Sequence, residues 1–326
     1  MGTVLGFILA IPLFLACGGK PAAPDSASAV ITEASGVTFH DGALYVVDDS
    51  AESVYFRIPL TKKPSGLFPL NGPTTTRVEL RNVGIWVDLE GIAFLADSRV
   101  ALLSERFRGL VGRKGIIAEY DYPLTEFGRR GLEGVAVRPL ANEASRIAVL
   151  WEGGYPDVGS LQTQLSVKMG DIPLNPMIFV HDLAAGATVG RVRWKSGVMR
   201  CALHPPKPAG EEPEAQRFRA PDLIWYHWPG SQSEQWGFIV LLSSQNAVAN
   251  PQYLHHWLQR FNAEGIAVGD PIELADHVPA EVARANWEGL CWYEEGKSVV
   301  LVHEGRGKLQ PHAFFLELPA DWQYDH

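Results

Sequence analysis

The sequence predicts an all-β fold, a β-propeller of four-stranded blades, and three observations predict it. Four short stretches repeat: A-S-G-V-T-F from Ala34, L-E-G-I-A-F from Leu89, L-E-G-V-A-V from Leu132 and W-E-G-L-C-W from Trp287. Each is followed, after a polar turn, by a strongly apolar run: A-L-Y-V-V-D-D, R-V-A-L-L-S-E-R, R-I-A-V-L-W-E-G and S-V-V-L-V-H-E-G. Helical periodicity is nearly absent, with residues 278–284 the one short helix candidate. Paired β-runs recurring at a domain-sized fraction of a chain signal a radially repeated sheet.

Composition agrees and narrows the partners. At 326 residues, 46% hydrophobic and 20% charged, the chain can bury a sizeable core, and its 32 Gly and 23 Pro suit sheets joined by tight turns. A net charge of −9 without a basic cluster argues against a nucleic-acid partner. An anionic ligand would have to meet a local basic patch or a bound cation.

Residues 2–16 are uncharged and nearly all apolar. A bilayer span needs about 20 residues, so this stretch fits the hydrophobic core of a signal peptide instead. It ends F-L-A-C-G-G and resembles the lipobox of bacterial lipoproteins, which implies lipidation at Cys17. Cleavage after another small residue is the alternative, and either way the protein is exported. Residues 1–17 are thus a signal segment, 18–28 a flexible linker and 29–326 the propeller domain. The expected location is the bacterial cell envelope, periplasmic or surface-exposed, with the membrane touched only through the lipid. Cys201 and Cys291 are the remaining thiols. They either pair or stay buried and free.

Residues 29–34 read as a short strand without a neighbour. The first blade follows with a hairpin turned by His40–Asp41–Gly42, then S-V-Y-F-R-I-P-L and, after a Pro/Gly-rich loop, T-R-V-E-L-R. The second takes L-E-G-I-A-F, R-V-A-L-L-S-E-R, G-I-I-A-E-Y-D-Y and a weak strand near Leu124. The third takes L-E-G-V-A-V, R-I-A-V-L-W-E-G, P-M-I-F-V-H-D-L and G-R-V-R-W, interrupted by a long polar loop at 153–176. The fourth starts with P-D-L-I-W-Y-H-W after an insertion at 205–220 that reads as a mobile surface loop. The fifth has W-E-G-L-C-W, S-V-V-L-V-H-E-G and H-A-F-F-L-E-L-P and ends one strand short. The orphan at 29–34 would supply that strand and close the ring, leaving no exposed edge. The count is five blades, or six if a further one lies between residues 153 and 220.

First strands line a propeller's channel, so the repeated Glu90, Glu133 and Glu288 should converge, with Asp222 taking the place in the fourth blade. That much like charge is relieved by a hard cation, and Ca²⁺ takes six to eight oxygen ligands. Ser35 holds the place in the first repeat and offers a hydroxyl or carbonyl. The alternative is that each carboxylate accepts backbone N–H bonds and only pins its blade turn. A second acidic ring is expected where second strands end, at Asp48–Asp49, Glu105, Glu152, Gln245 and Glu304. Arg106, Arg108 and Arg306 flank it, as salt-bridged supports or as a phosphate grip. His255 and His256 should point to opposite faces of one strand, which rules out a shared metal. No G-x-S-x-G, H-E-x-x-H or P-loop motif is present.

The run L-E-G-[IV]-A, a strand ending S-E-R, G-L-E-G-V-A-V and N-W-E-G-L-C-W resembles bacterial phytase-like propellers, including the SdiA-regulated periplasmic ones. The first repeat, S-G-V-T-F-H-D-G-A-L-Y-V-V-D-D-S-A-E-S-V-Y, is similar to the opening blade of five-bladed calcium-dependent apyrases. The resemblance covers residues 34–57, 88–152 and 286–305. It implies axial Ca²⁺ on Ser35, Glu90, Glu133 and Glu288, and hydrolysis of a phosphoric ester or anhydride. Glu105 or Glu304 would then serve as base, Arg106 would stabilise charge, and Arg108 and Arg306 would bind a small phosphorylated ligand. A monomer is expected. A non-catalytic propeller binding a ligand or protein at the envelope is the alternative, and sugar or lactone hydrolysis a third class.

Overall fold

The computed structural model describes residues 30–80, 88–121, 131–152, 176–188, 191–193, 199–203, 216–228, 235–246, 253–305 and 309–324. The signal segment with Cys17, the linker, the strand expected near Leu124, the long loop at 153–175 and Arg306 lie outside them. So do the side chains of Cys201 and Gln245.

Five sheets form the five blades of a β-propeller. Blade 1 joins β1 (Ala34–His40), β2 (Ala43–Asp48) and β3 (Val54–Pro59), and β5 (Thr76–Glu79) follows them at the outer edge. The intervening β4 (Leu67–Pro69) belongs elsewhere. Blade 2 runs β6 (Leu89–Phe94), β7 (Val100–Ser104), β8 (Gly109–Gly112) and β9 (Gly115–Asp121). Blade 3 runs β10 (Leu132–Pro139), β11 (Ser145–Trp151) and β12 (Met177–Leu183). Its chain then visits β13 (Arg191–Arg193), parallel to β9 on the outer edge of blade 2, before returning as β14 (Met199–Ala202). Blade 4 holds β15 (Gln216–His227), β16 (Trp236–Asn246), β17 (Tyr253–Asn262) and β18 (Ala267–Glu273). Blade 5 holds β19 (Trp287–Glu294), β20 (Ser298–His303) and β21 (His312–Glu317).

The last blade is completed by β4, and not by the N-terminal strand the sequence led us to expect. Leu67, Phe68 and Pro69 pair with Phe314, Ala313 and His312. Three residues, preceded by Gly66 and ending in Pro69, are too few to show alternation, so β4 reads as loop. Residues 30–33 are not a strand, but they do cross the seam. Asn71, just past β4, accepts from Ile31 N–H (2.7 Å) and donates to its carbonyl (2.8 Å), while Gly305 N–H donates to Thr32 (3.1 Å). Three further corrections follow from the pairing. The third strand of blade 2 is β8, which makes G-I-I-A-E-Y-D its fourth. Within G-R-V-R-W, residues 191–193 leave blade 3 for blade 2, and M-R-C-A takes their place. Residues 280–284 form turns rather than a helix.

The apolar runs are explained by five hydrophobic layers, one between each pair of adjacent blades. Alternate residues of a strand point to opposite faces, and both faces of each blade are covered. On β7, Val100 and Leu102 pack towards blade 1, whereas Ala101 and Leu103 pack towards blade 3. The first strands touch in the closed order β1, β6, β10, β15, β19, β1.

Glycine in the repeated E-G pair makes that closeness possible. A Cβ on Gly36 would lie 2.8 Å from Gly91 Cα of blade 2, and one on Gly91 3.2 Å from the Glu133 carbonyl of blade 3. One on Gly134 would lie 2.6 Å from Asp222 Oδ1 of blade 4, and one on Gly289 3.0 Å from Val37 N of blade 1. Each glycine therefore seats its blade against the next, around the ring.

Candidate acidic site at the channel end

Every repeated acidic residue sits in a β-bulge. The pairing of first and second strands slips between Ala34 and Gly36, Leu89 and Gly91, Leu132 and Gly134, and Trp287 and Gly289. The skipped residues are Ser35, Glu90, Glu133 and Glu288. A bulge leaves its extra residue out of the ladder and re-aims its side chain. In blade 4 the slip falls between Arg219 and Asp222. Asp222 pairs with Leu241 as the glycines pair with theirs, so it takes the glycine place and not the glutamate place.

The expected second ring is present. Backbone N–H groups of Asp49, Glu105, Glu152 and Glu304 donate to the carbonyls of Glu33, Asp88, Gly131 and Asn286, at 2.9–3.3 Å. One equivalent bond in four blades puts these carboxylates at the end of the channel where the bulges lie. Asp48 instead turns inward, accepting from Thr32, Glu33 and Ser50. The partner position holds Asp88, whose signal is the residue before L-E-G, a column the sequence reading passed over.

Arg219 organises one side of this end. Its guanidinium grips Glu288 in bidentate fashion (Nη1–Oε1 2.8 Å, Nη2–Oε2 2.6 Å). It also reaches Glu152 (3.0 Å) and Glu133 (3.6 Å), and Asn286 donates a further bond to Glu288. The sequence reading assigned residues 205–220 to a surface loop, because Pro221 and the polar run before it look like a break. In the structure β15 begins at Gln216, and the bulge at 220–221 absorbs a proline that has no N–H to give.

On the other side Asp49, Asp88 and Glu90 each bring a carboxylate oxygen within 4.8 Å of the others. Asp88 holds a left-handed φ of 56°, a region that Asp tolerates better than most residues. Of the sequence-predicted metal ligands, Glu90 alone belongs to this group. Glu133 and Glu288 share Arg219. Ser35 Oγ donates to the Leu89 carbonyl (2.5 Å). Asp222 accepts from Leu223 and Leu290 N–H at 2.8 and 2.7 Å, tying blade 4 to blade 5.

Burial and mutual repulsion raise the proton affinity of five carboxyls here, Asp49, Glu90, Glu105, Glu133 and Glu288. Burial, then the charges of Asp49 and Glu288, holds Glu90 well above the carboxylate range. Burial, then Glu152 and Glu90, does the same to Glu133. Glu105 is pushed up to about 8 by burial, then by Glu152 and Asp88. Asp49 rises to about 6 through burial and a hydrogen bond with Asp88. Glu288 rises to about 7 because burial outweighs the pull of Arg219. Arg219 is the one cation that these contacts bring to the cluster; its charge draws Glu90 and Glu105 down, but by less than burial and their acidic neighbours push them up. An all-oxygen donor set of this kind fits a hard divalent cation.

Of the predicted arginines, Arg106 is exposed and Arg108 half-buried, and neither makes a hydrogen bond or ion pair with these carboxylates among the described residues. Glu304 lies close enough to raise Glu288. His255 and His256 do face opposite ways: His255 meets Glu273, while buried His256 pairs with Ser243 Oγ (2.7 Å). Cys291 is a buried free thiol.

No protein-family model matches this chain, and no curated protein is significantly similar to it.

Proposed function

We propose that this propeller binds a divalent cation, Ca²⁺ by donor chemistry, at the acidic end of its channel, and acts there on a phosphoric ester or anhydride. The reading rests on the convergence of Asp49, Asp88 and Glu90 within 4.8 Å, with Glu105 close enough to feel Asp88 and Asp49, while the direct contacts of Arg219 go to Glu133, Glu152 and Glu288. A cation held there would polarise a phosphoryl oxygen and acidify a water. Glu105, pushed up to about 8, would serve as the base once its proton has left, on the alkaline side of neutral or when the cation draws that value down. Phytase-like membership is part of the proposal and rests on the L-E-G repeats.

The uncharged apolar stretch at residues 2–16, ending F-L-A-C-G-G, supports an envelope role, with Cys17 as the lipid-bearing residue. Cys17→Ala should release the protein from the membrane fraction, and a wild type already found soluble would remove the anchor.

Calcium titration followed by melting temperature tests the site. A ligand bound only to the folded state stabilises by about 3 kcal/mol at a hundredfold excess over Kd, and Asp88→Asn should remove most of that gain. A melting curve indifferent to calcium and chelator would end the metal reading and the hydrolase reading with it. A second reading, a non-catalytic ligand-binding propeller, draws on the absence, among the described residues, of any hydrogen bond or ion pair from Arg106 or Arg108 to these carboxylates. Calcium stabilisation without turnover of phosphate monoesters, anhydrides or nucleotides would favour it.

A further inference from the structure

At the opposite end of the molecule, between blades 1 and 2, lies a cleft of about 480 Å³ whose chemistry is the reverse of the acidic end. Its place follows from the strands that line it. Phe94 ends β6, residues 98 and 99 belong to the following turn, Val100 opens β7, and residues 112–115 form the β8–β9 hairpin. All lie at the far end of their strands from Glu90 and Ser104.

Four cationic side chains line the cleft: Arg57, Arg99, Arg113 and Lys114. No described Asp or Glu lines it. Arg99 is compensated, with Nε on Asp97 (2.8 Å) and Nη1 on the Ala187 carbonyl (2.9 Å). The other three have no carboxylate partner among the described residues. Arg57 Nε donates to Tyr45 Oη (3.3 Å), and Arg113 hydrogen-bonds Tyr55. A neutral hydroxyl orients a guanidinium without cancelling its charge. In a chain of net charge −9, three such cations at one cleft are a local reversal of sign.

The wall between them is aromatic. Tyr45 packs edge-on to Phe94 with centroids 4.8 Å apart, and Tyr55 tilts against Tyr45 at 6.1 Å. Val78 and Ile117 extend the apolar surface. A volume of this size suits a small organic molecule, with apolar walls supplying contact area and a few polar groups fixing orientation.

We propose that this cleft binds an aryl phosphate, a planar ring carrying a phosphate dianion, independently of the cation site. The ring lies on the wall of Tyr45, Tyr55 and Phe94. Two guanidinium groups and one ammonium match the three terminal oxygens of a phosphate better than the two of a carboxylate. The proposal does not rest on the calcium reading, since none of the acidic-end residues takes part.

Calorimetric titration of the full chain with phenyl phosphate, in excess chelator, tests it without involving the acidic end. Saturable binding is expected, with inorganic phosphate and benzoate each at least about tenfold weaker, since ring contact and charge-assisted hydrogen bonds are each worth more than 1 kcal/mol. The double variant Arg57→Gln/Arg113→Gln should weaken phenyl phosphate by a further factor of about ten or more while leaving the melting temperature near wild type. Should that variant unfold, Lys114→Glu, at an exposed hairpin position, gives the same reading. Lys297→Gln on blade 5 should leave binding unchanged. Absence of saturable binding, equal affinity for inorganic phosphate, or an equal loss in Lys297→Gln would each overturn the proposal.

Discussion

Arg219→Gln is the sharpest perturbation available, because one side chain compensates three carboxylates. Side-chain exposure is 11% for Arg219, 10% for Glu288, 9% for Glu133 and 6% for Glu152. Removing one partner of a buried ion pair costs about 3–5 kcal/mol, because the other charge is left uncompensated. That cost falls due only where Glu288 is ionised. Its pKa in the folded protein is about 7, above its ordinary value of 4.5. A carboxyl whose folded pKa is raised contributes stability that is fully present below its unfolded pKa. The contribution is lost as pH rises through about 7. At pH 5, therefore, Glu288 is mostly protonated, and the variant forfeits only hydrogen bonds, about 1–2 kcal/mol. At pH 8 the wild type has gained the ion pair and the variant has not, a further loss of about 1.4 kcal/mol for the one unit between pH 7 and 8, beyond which the variant keeps Glu288 protonated instead. For a chain of this size the difference amounts to roughly 2 °C in Tm. Thermal melts of wild type and variant at pH 5 and pH 8, both in chelator, make the comparison. An equal loss at both pH values would refute the argument that Arg219 serves as the built-in counter-ion of the cluster, and no loss at either would refute the contacts themselves.

Gly134→Ala should destabilise by about 2–4 kcal/mol, since overpacking a tight contact costs 1–3 kcal/mol. The new methyl would also push on Asp222, whose oxygens hold Leu223 and Leu290 N–H. Denaturant unfolding checks it, and a loss below about 0.5 kcal/mol would show that the blades are not seated by glycine. Asn71→Ala removes two bonds to Ile31 at the ring seam and should cost about 2 kcal/mol. An unchanged denaturation midpoint would mean that the seam is held by the β4–β21 pairing alone.

The fold was largely legible because the signal is local and repeated. A turn, an alternating run, a polar turn and an apolar run follow one another within about twenty residues, and strand pairing within a hairpin is decided at that range. The convergence of second-strand carboxylates was legible for the same reason, since Asp49, Glu105, Glu152 and Glu304 occupy one column of the repeat. The column of Asp88 was equally readable and was missed only by starting the repeat one residue late. Three features belong to the tertiary structure. Residues 67–69 carry too little pattern to announce a strand, and their partner β21 lies more than two hundred residues away in the chain. Asp222 changes place because a two-residue bulge around Pro221 shifts its register, and no spacing rule marks a bulge beforehand. Arg219 looked like loop because its partners Glu133, Glu152 and Glu288 come from blades 3 and 5. The sequence by itself placed the carboxylates at one end of the channel. Which of them a guanidinium neutralises, and which are left facing one another, was decided only when the ring closed and brought distant charges within 4 Å.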